Sequence, residues 1–315
     1  MSDGKYYSGE ILGNRLRISR AAVWKKIKLL EDHGVVVERT RGKGYRLANP
    51  VELLDRKKLS DYLDKLKVNS PISLVIENIT GSTNELLLQR VDHVDFHGTV
   101  IMAEYQTAGR GRHGNSWIAP YASGICLSIG WCFDPEPDVI NLLSLAVGVA
   151  CANALKKLDL HGIGLKWPND IYFDGAKLGG ILIESRAENG EFCKAVIGIG
   201  LNYALPDIAR PAIDQPVTDM HSVCRIIPSR NVVAAALISE TINMLADHGV
   251  SDARNIVQAW REYDCVAGKR AELINGNRKI SGDIVGVDDH GALIMSVNNV
   301  TEKFYSGEIS LRVSR

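Results

Sequence analysis

The stretch KLGGILIESRAENGEFCKAVIGIG, Lys177 to Gly200, decides the fold of this 315-residue chain. Two apolar, β-rich runs, 177–186 and 191–200, flank Asn189-Gly190, a dipeptide suited to the positive φ angles of a tight hairpin. The pattern predicts an antiparallel pair. Outward from it, GICLSIGWCF (124–133) reads as a buried strand, and IGLKW (163–167) as a strand entering Pro168. LVIENI (74–79) and GTVIMAEYQ (98–106) add two more strands. Helical patterns lie around 84–90, at 141–158, and near 231–247 and 252–262. Antiparallel pairs with helices on one side indicate an α+β fold.

The tail from Gly268 changes character. Short alternating runs are broken by Asn275-Gly276, Asp288 to Gly291 and Asn298-Asn299, which predicts a small β-barrel resembling an SH3 domain. At the other end, Ser8 and Ser19 are candidate N-caps of two helices separated by a turn around Arg17-Ile18. Val23, Ile27 and Leu30 repeat at helical spacing, and His33-Gly34 stops the second helix. VVVERT, RGKG and YRL then read as a hairpin with a basic tip. Helix, tight turn, helix and basic hairpin form the winged helix-turn-helix pattern. The second helix offers Ser19, Arg20, Ala21, Trp24, Lys25 and Lys28 to DNA, and Arg39, Arg41 and Lys43 arm the wing. Such domains usually carry another helix before the pair, where only Met1 to Tyr7 stand here. The domain therefore reads as trimmed, or its start as late.

The charge agrees with this division. Lys+Arg and Asp+Glu are both 37, yet residues 1–47 hold 11 basic against 5 acidic side chains. The front is a match for a polyanion and the remainder is net acidic. The boundaries drawn are 1–47 for the winged helix, 48–70 for a linker with a short charged helix, 71–265 for a catalytic unit and 266–315 for the barrel. Six scattered cysteines without C-x-x-C, no signal core and no membrane-length apolar run predict a reduced, cytoplasmic chain with no membrane partner.

Three further clusters carry chemistry. In GRGRHGNSW (109–117), glycines 109, 111 and 114 free the backbone, and Arg110 and Arg112 bring permanently charged forks suited to carboxylate or phosphate. Trp117 closes the loop with an aromatic face. Taken alone, the run is more often an exposed basic loop. KWPND (166–170) ends a strand at Lys166 and places Asn169 and Asp170 in a turn, where a lysine can neutralise phosphate and an aspartate can meet magnesium. KLGGILIE sets a lysine before two glycines at a strand start. No P-loop or dinucleotide fingerprint occurs, so any phosphate must rely on arginine and lysine.

With GSTN (81–84), EYQTAGRGRHGNSW (104–117), GIGLN (198–202) and GEISLR (307–312), these motifs resemble the biotin–protein ligase family in its bacterial bifunctional form, which also represses biotin operons. The resemblance implies a mixed-sheet catalytic domain of the class II synthetase/biotin–lipoate ligase type. It implies that biotin and MgATP give biotinyl-adenylate, and that a lysine of the biotin carboxyl carrier protein of acetyl-CoA carboxylase then attacks it. Carried over by motif, Ser82, Thr83, Asn84, Gln106, Gly109 to Arg112, Lys177 and Gly179 would line the biotin site. Arg110, Trp117, Lys166, Asn169, Asn202 and Arg312 would meet ATP or the adenylate, and Asp170 the metal or the incoming lysine. Arg112, Lys166, Asp170 and Lys177 would carry the chemistry. The adenylate would act as corepressor, favouring a homodimer that binds operator DNA. The segment RPAIDQPV (210–217), in the place of the family's adenine-covering loop, has no aromatic residue, so an aliphatic cover is expected. A lipoate–protein ligase and a non-enzymatic ligand-sensing transcription factor are the competing readings. The former's His-Asp signature is absent, and the latter has no need of Lys166, Asp170 and Lys177 together.

Overall fold

In a computed structural model of the chain, all residues are described except 2, 69, 134–136, 189–191, 248–252, 276–277, 306–308 and 314–315. Helices α1 (Gly9–Leu16) and α2 (Arg20–Asp32) begin at the expected caps. Ser8 Oγ accepts from the Ile11 amide at 3.1 Å and Ser19 Oγ from Ala22 at 3.2 Å, each satisfying an otherwise orphaned helix N–H. Arg17 makes the turn with a left-handed φ of 54°. Val23 and Ile27 are buried beneath α2. Strands β1 (Val37–Thr40) and β2 (Gly44–Leu47) form the wing. Tyr7 exchanges two 2.9 Å backbone hydrogen bonds with Tyr45, so the residues ahead of α1 extend that ribbon. Gly44, at φ 103°, makes this approach possible, since a Cβ there would stand 2.1 Å from the Tyr7 carbonyl oxygen.

Residues 48–70 are no free spacer, which corrects the linker expectation. Helix α3 (Arg56–Leu66) buries Leu59 and Leu63 in the same apolar core as the catalytic sheet. Ahead of it, the Glu52 carboxylate accepts from the Arg230 amide (2.7 Å), Ser229 Oγ (2.8 Å) and Asn231 Nδ2 (2.9 Å), capping a helix far along the chain. Leu54 N donates to Glu104 Oε1. The polar character of the segment concealed these attachments.

The central sheet and its helices follow in the order β3 (Ser73–Thr80), α4 (Thr83–Leu88), β4 (Thr99–Gln106), β5 (Gly124–Phe133), α5 (Pro137–Lys157), β6 (Ile163–Lys166), β7 (Asp170–Phe173), β8 (Ala176–Glu188) and β9 (Phe192–Asn202). Short α6 (Met220–Val223), α7 (Arg230–Ala246) and α8 (Ala253–Tyr263) complete it. The seven strands lie in the order β3-β4-β5-β9-β8-β7-β6. β3 and β4 are parallel and the other pairs antiparallel. β8 and β9 pair from Gly179–Leu201 to Glu188–Phe192 as the hairpin reading requires, with the Asn189-Gly190 turn itself outside the described residues.

Ile125, Leu127 and Ile129 of β5, with Ile197 and Ile199 of β9, face the large core under α5, α7 and α8. The opposite face carries α4, whose Leu87 packs with Ile101 and Val196. Helices therefore flank both faces. The alternation also puts Cys126, Ser128, Gly198 and Gly200 on the α4 side, where the cavity opens.

The C-terminal unit is a five-stranded antiparallel sheet of β10 (Arg270–Asn275), β11 (Arg278–Val287), β12 (Leu293–Val297), β13 (Val300–Phe304) and β14 (Ile309–Val313), ordered β13-β12-β11-β10-β14. Asn298 and Asn299 take positive φ at the predicted turn. Trp167 Nε1 donates to the Gly291 carbonyl at 3.0 Å, joining this sheet to the turn after β6.

Candidate active site

A cavity of about 1260 Å³ lies between the central sheet, the 109–117 loop, the 212–217 segment and the C-terminal sheet. That exceeds the ~300–1,000 Å³ of an ordinary small-ligand pocket. Its floor is made by omission of side chains. A Cβ on Gly200 would stand 2.6 Å from the Trp117 ring, and one on Gly198 would stand 2.2 Å from Asn84 Oδ1. The i, i+2 glycines of β9 thus make room for groups from two other elements.

One end of the cavity is polar and buried. Ser82, Thr83 and Asn84 are buried at the start of α4. Ser82 occupies the cap position without a side-chain cap bond. The Thr83 amide donates to Gln106 Oε1 at 2.7 Å, and Thr83 Oγ1 lies 3.1 Å from the same oxygen. Ser128 Oγ stands 2.8 Å from Thr83 Oγ1 and 2.6 Å from Asn84 Oδ1. Oxygen atoms of Thr83, Asn84 and Gln106 thus gather at this end and suit a ligand with N–H donors.

The other end is cationic. Lys177 Nζ lies 2.6 Å from Asp170 Oδ1, and Lys166 Nζ lies 3.9 Å from Oδ2. A bulge in the β7–β8 pairing between Ile171 and Tyr172 adjusts the strand where Lys177 projects, and Gly180 leaves room for the ion pair. Lys166 also donates to Tyr172 Oη at 3.2 Å, while Tyr172 donates to Gln215 Oε1 at 3.3 Å. Burial pulls the Lys166 ammonium below its ordinary pKa, with Asp170 opposing. Burial likewise lowers Arg112, again against Asp170. Arg112 Nη1 reaches Asn169 Oδ1 at 3.4 Å. Burial raises the Tyr172 phenol, which therefore stays protonated and able to donate.

Three family models match the chain: HTH domain over 1–46, Biotin/lipoate A/B protein ligase family over 77–202 and Biotin protein ligase C terminal domain over 267–312. The chain is 36% identical to the bifunctional ligase/repressor BirA of Salmonella typhimurium, over 99% of this chain and 95% of that protein. Identity to its Escherichia coli counterpart is 34%, with the same coverage. The chain belongs to the bifunctional ligase/repressor family. Among solved structures, the Aquifex aeolicus biotin protein ligase in complex with biotin and ATP superposes with a TM-score of 0.61 at 26% identity, covering 77% of this chain and 99% of that one.

Within this member of the family, Ser82, Thr83, Asn84, Gln106, Arg110, Gly111, Arg112, Trp117, Lys166, Asn169, Asp170, Lys177, Asn202 and Arg312 all line the one cavity. Two expected residues do not. Gly179 packs against β9, where a Cβ would meet the Gly200 carbonyl oxygen at 2.8 Å, and its neighbour Gly180 faces the cavity instead. Gly109 lies against the Trp117 carbonyl and the Gln106 amide, serving closure of the loop rather than contact. Asp170 is also not a turn residue but the first of β7. Arg110 Nη2 is 2.9 Å from Glu184 Oε1, while Arg112 lies beside Asn169. Sequence reading passed over Glu184, Ser128 and Tyr172. For Glu184 the signal was present, since it ends the quoted KLGGILIE; Ser128 stood in an otherwise apolar strand and carried none.

Ser19, the cap of α2, and Arg20, Ala21, Trp24, Lys25 and Lys28 on the helix are exposed, as are Arg41 and Lys43 of the wing. Arg39 is engaged by Glu31 at 2.5 Å, so the charge available at the wing tip is that of Arg41 and Lys43. Among the described residues, no helix is long and apolar enough to cross a membrane. Cysteines 126, 132, 151, 193, 224 and 265 are free thiols.

Proposed function

We propose that the chain activates biotin with ATP inside this cavity, forms biotinyl-adenylate, and passes biotin to a carrier lysine. The observation carrying this reading is one cavity that joins an acceptor-rich, buried end to a cationic end and has volume for two ligands together. The ureido N–H groups of biotin face Thr83, Asn84 and Gln106. The carboxylate then points to Lys177 and Arg112, where the α-phosphate of ATP is also drawn. As the carboxylate oxygen attacks the α-phosphorus and the bond to the leaving pyrophosphate breaks, charge grows on the phosphoryl oxygens, and Lys166, Lys177 and Arg112 are placed to balance it. Asn169 orients Arg112. Ile213, Pro216 and Val217, with Ile274 and Leu311 of the C-terminal sheet, give the adenine an aliphatic enclosure.

Among the described residues there is no cluster of three or more acidic, His or Cys side chains able to hold a metal alone. Asp170 therefore fits magnesium only as one carboxylate complementing the nucleotide's phosphates and water, a common mode for that ion. Magnesium so bound would offset phosphate charge.

In the second step the carrier amine attacks the carbonyl and AMP leaves. Asp170, which lies between Lys166 and Lys177 in the cavity, accepts the amine's proton. The carrier is the biotin carboxyl carrier protein of acetyl-CoA carboxylase, and the chain works in the cytoplasm. The adenylate-bound form pairs as a homodimer and presents both α2 helices and wings to operator DNA. Pyrophosphate release from ATP tests the ligase reading. It should require biotin; release that ignores biotin, or none with both substrates, would overturn it.

A further inference from the structure

Glu184 is largely buried on β8 and uses both carboxylate oxygens at the rim of the cavity. Oε1 meets Arg110 Nη2 at 2.9 Å, and Oε2 accepts from Asn84 Nδ2 at 2.9 Å. Asn84 continues through Ser128 and Thr83 to Gln106. The loop's own hydrogen bonds, Gly111 N to Asn115 O at 2.7 Å and Trp117 N to Gly109 O at 2.9 Å, shape it without fastening it to the sheet. Fastening at its Arg110 side comes through Glu184. We infer that Glu184 is a positioning residue that latches the 109–117 loop over the ligand through Arg110, and that its second oxygen ties the latch to the Asn84 end of the site.

The pair has the properties of a latch. A charge-assisted contact with one partner mostly buried is stronger than a surface pair. Arg110 remains half-exposed, so the contact can break as a unit without stranding a buried cation. Glu184 itself keeps Asn84 as a partner when the loop leaves. Opening is therefore permitted but slowed, which suits a lid that must retain a hydrolysable adenylate and later release it to an amine.

The inference rests on the adenylate-lid reading of the loop, and one experiment separates the two. Glu184→Gln keeps the side chain's shape and its acceptor for Asn84 but removes the charge. Dissociation of preformed biotinyl-adenylate is measured in wild type, Glu184→Gln, Arg110→Gln and the double variant, alongside single-turnover adenylation. Each single variant is expected to release adenylate about tenfold faster, the double no faster than either single, and adenylation by Glu184→Gln to stay within about twofold. Higher salt should speed wild-type release more than that of the variants. Unchanged release in Glu184→Gln, or single effects that multiply in the double, would overturn the latch. Absence of any biotin-dependent adenylation in wild type would instead remove the reading beneath it.

Discussion

At the scale of single residues, the site depends on buried charges placed close together. Lys166 is the sharpest case, because burial lowers its pKa below the ordinary lysine value of 10.5 while Asp170 resists the change. A lysine that balances phosphate must be protonated, so adenylation should decline as pH rises through this depressed value. A pH profile of single-turnover adenylation should show an alkaline limb below 10.5. Lys166→Arg should shift or abolish that limb while lowering the rate, since a guanidinium stays charged. A limb identical in both proteins would assign it elsewhere. The sequence displayed Lys166, Asp170 and Lys177 because they stand in dense motifs beside Pro and Gly. It did not display that Asp170 is shared by both lysines, because that sharing arises from the β6–β7 and β7–β8 pairings. Nor could GRGR reveal that its two arginines do different work, since Glu184 lies far along the chain.

At the scale of elements, strands and helices with strong periodicity were legible, and attachments made by polar residues were not. β5 has the predicted bounds, and α7 begins one residue before the expected helix. The segment 48–70 looked like a spacer because its composition is charged. Besides Leu59 and Leu63 in the core, it is held by Arg230, a fully buried guanidinium that donates to Glu104, to the Gly124 carbonyl and to the Glu52 carbonyl. Removing it leaves Glu104 buried without its cation. Arg230→Ala should lower the stability of the catalytic unit by about 3–5 kcal/mol, the usual cost of breaking a buried pair from one side. Denaturation followed by tryptophan fluorescence measures this, and a loss of below about 1 kcal/mol would show the cluster to be loosely held.

At the scale of the whole molecule, the helix-turn-helix unit meets the ligase unit beside the 109–117 loop. His33, at the end of α2, stacks on Tyr105 with ring centroids 4.6 Å apart, and its carbonyl accepts from the Tyr121 amide at 2.9 Å. Gly34, at φ 83°, admits Pro120, from which a Cβ would stand only 2.7 Å. Tyr105 immediately precedes Gln106, and Pro120 follows the 109–117 loop by three residues, so the contact adjoins both the cavity and that loop. This joint was illegible in the sequence, because His33-Gly34 is also a sufficient helix stop. His33→Ala should leave biotin-dependent pyrophosphate release intact. It should reduce, by about threefold, the factor by which adenylate strengthens operator binding, a loss in the range of one aromatic pair. Operator titrations with and without adenylate supply that ratio, and an unchanged ratio would mean that the two units communicate elsewhere. The central claim, that this cavity serves transfer of biotin to protein, is tested most directly by mass measurement of a biotin carboxyl carrier domain incubated with the chain, biotin and MgATP. The expected result is one biotinyl group on a single lysine, absent when either biotin or ATP is withheld. A carrier that stays unmodified beside folded enzyme would contradict it.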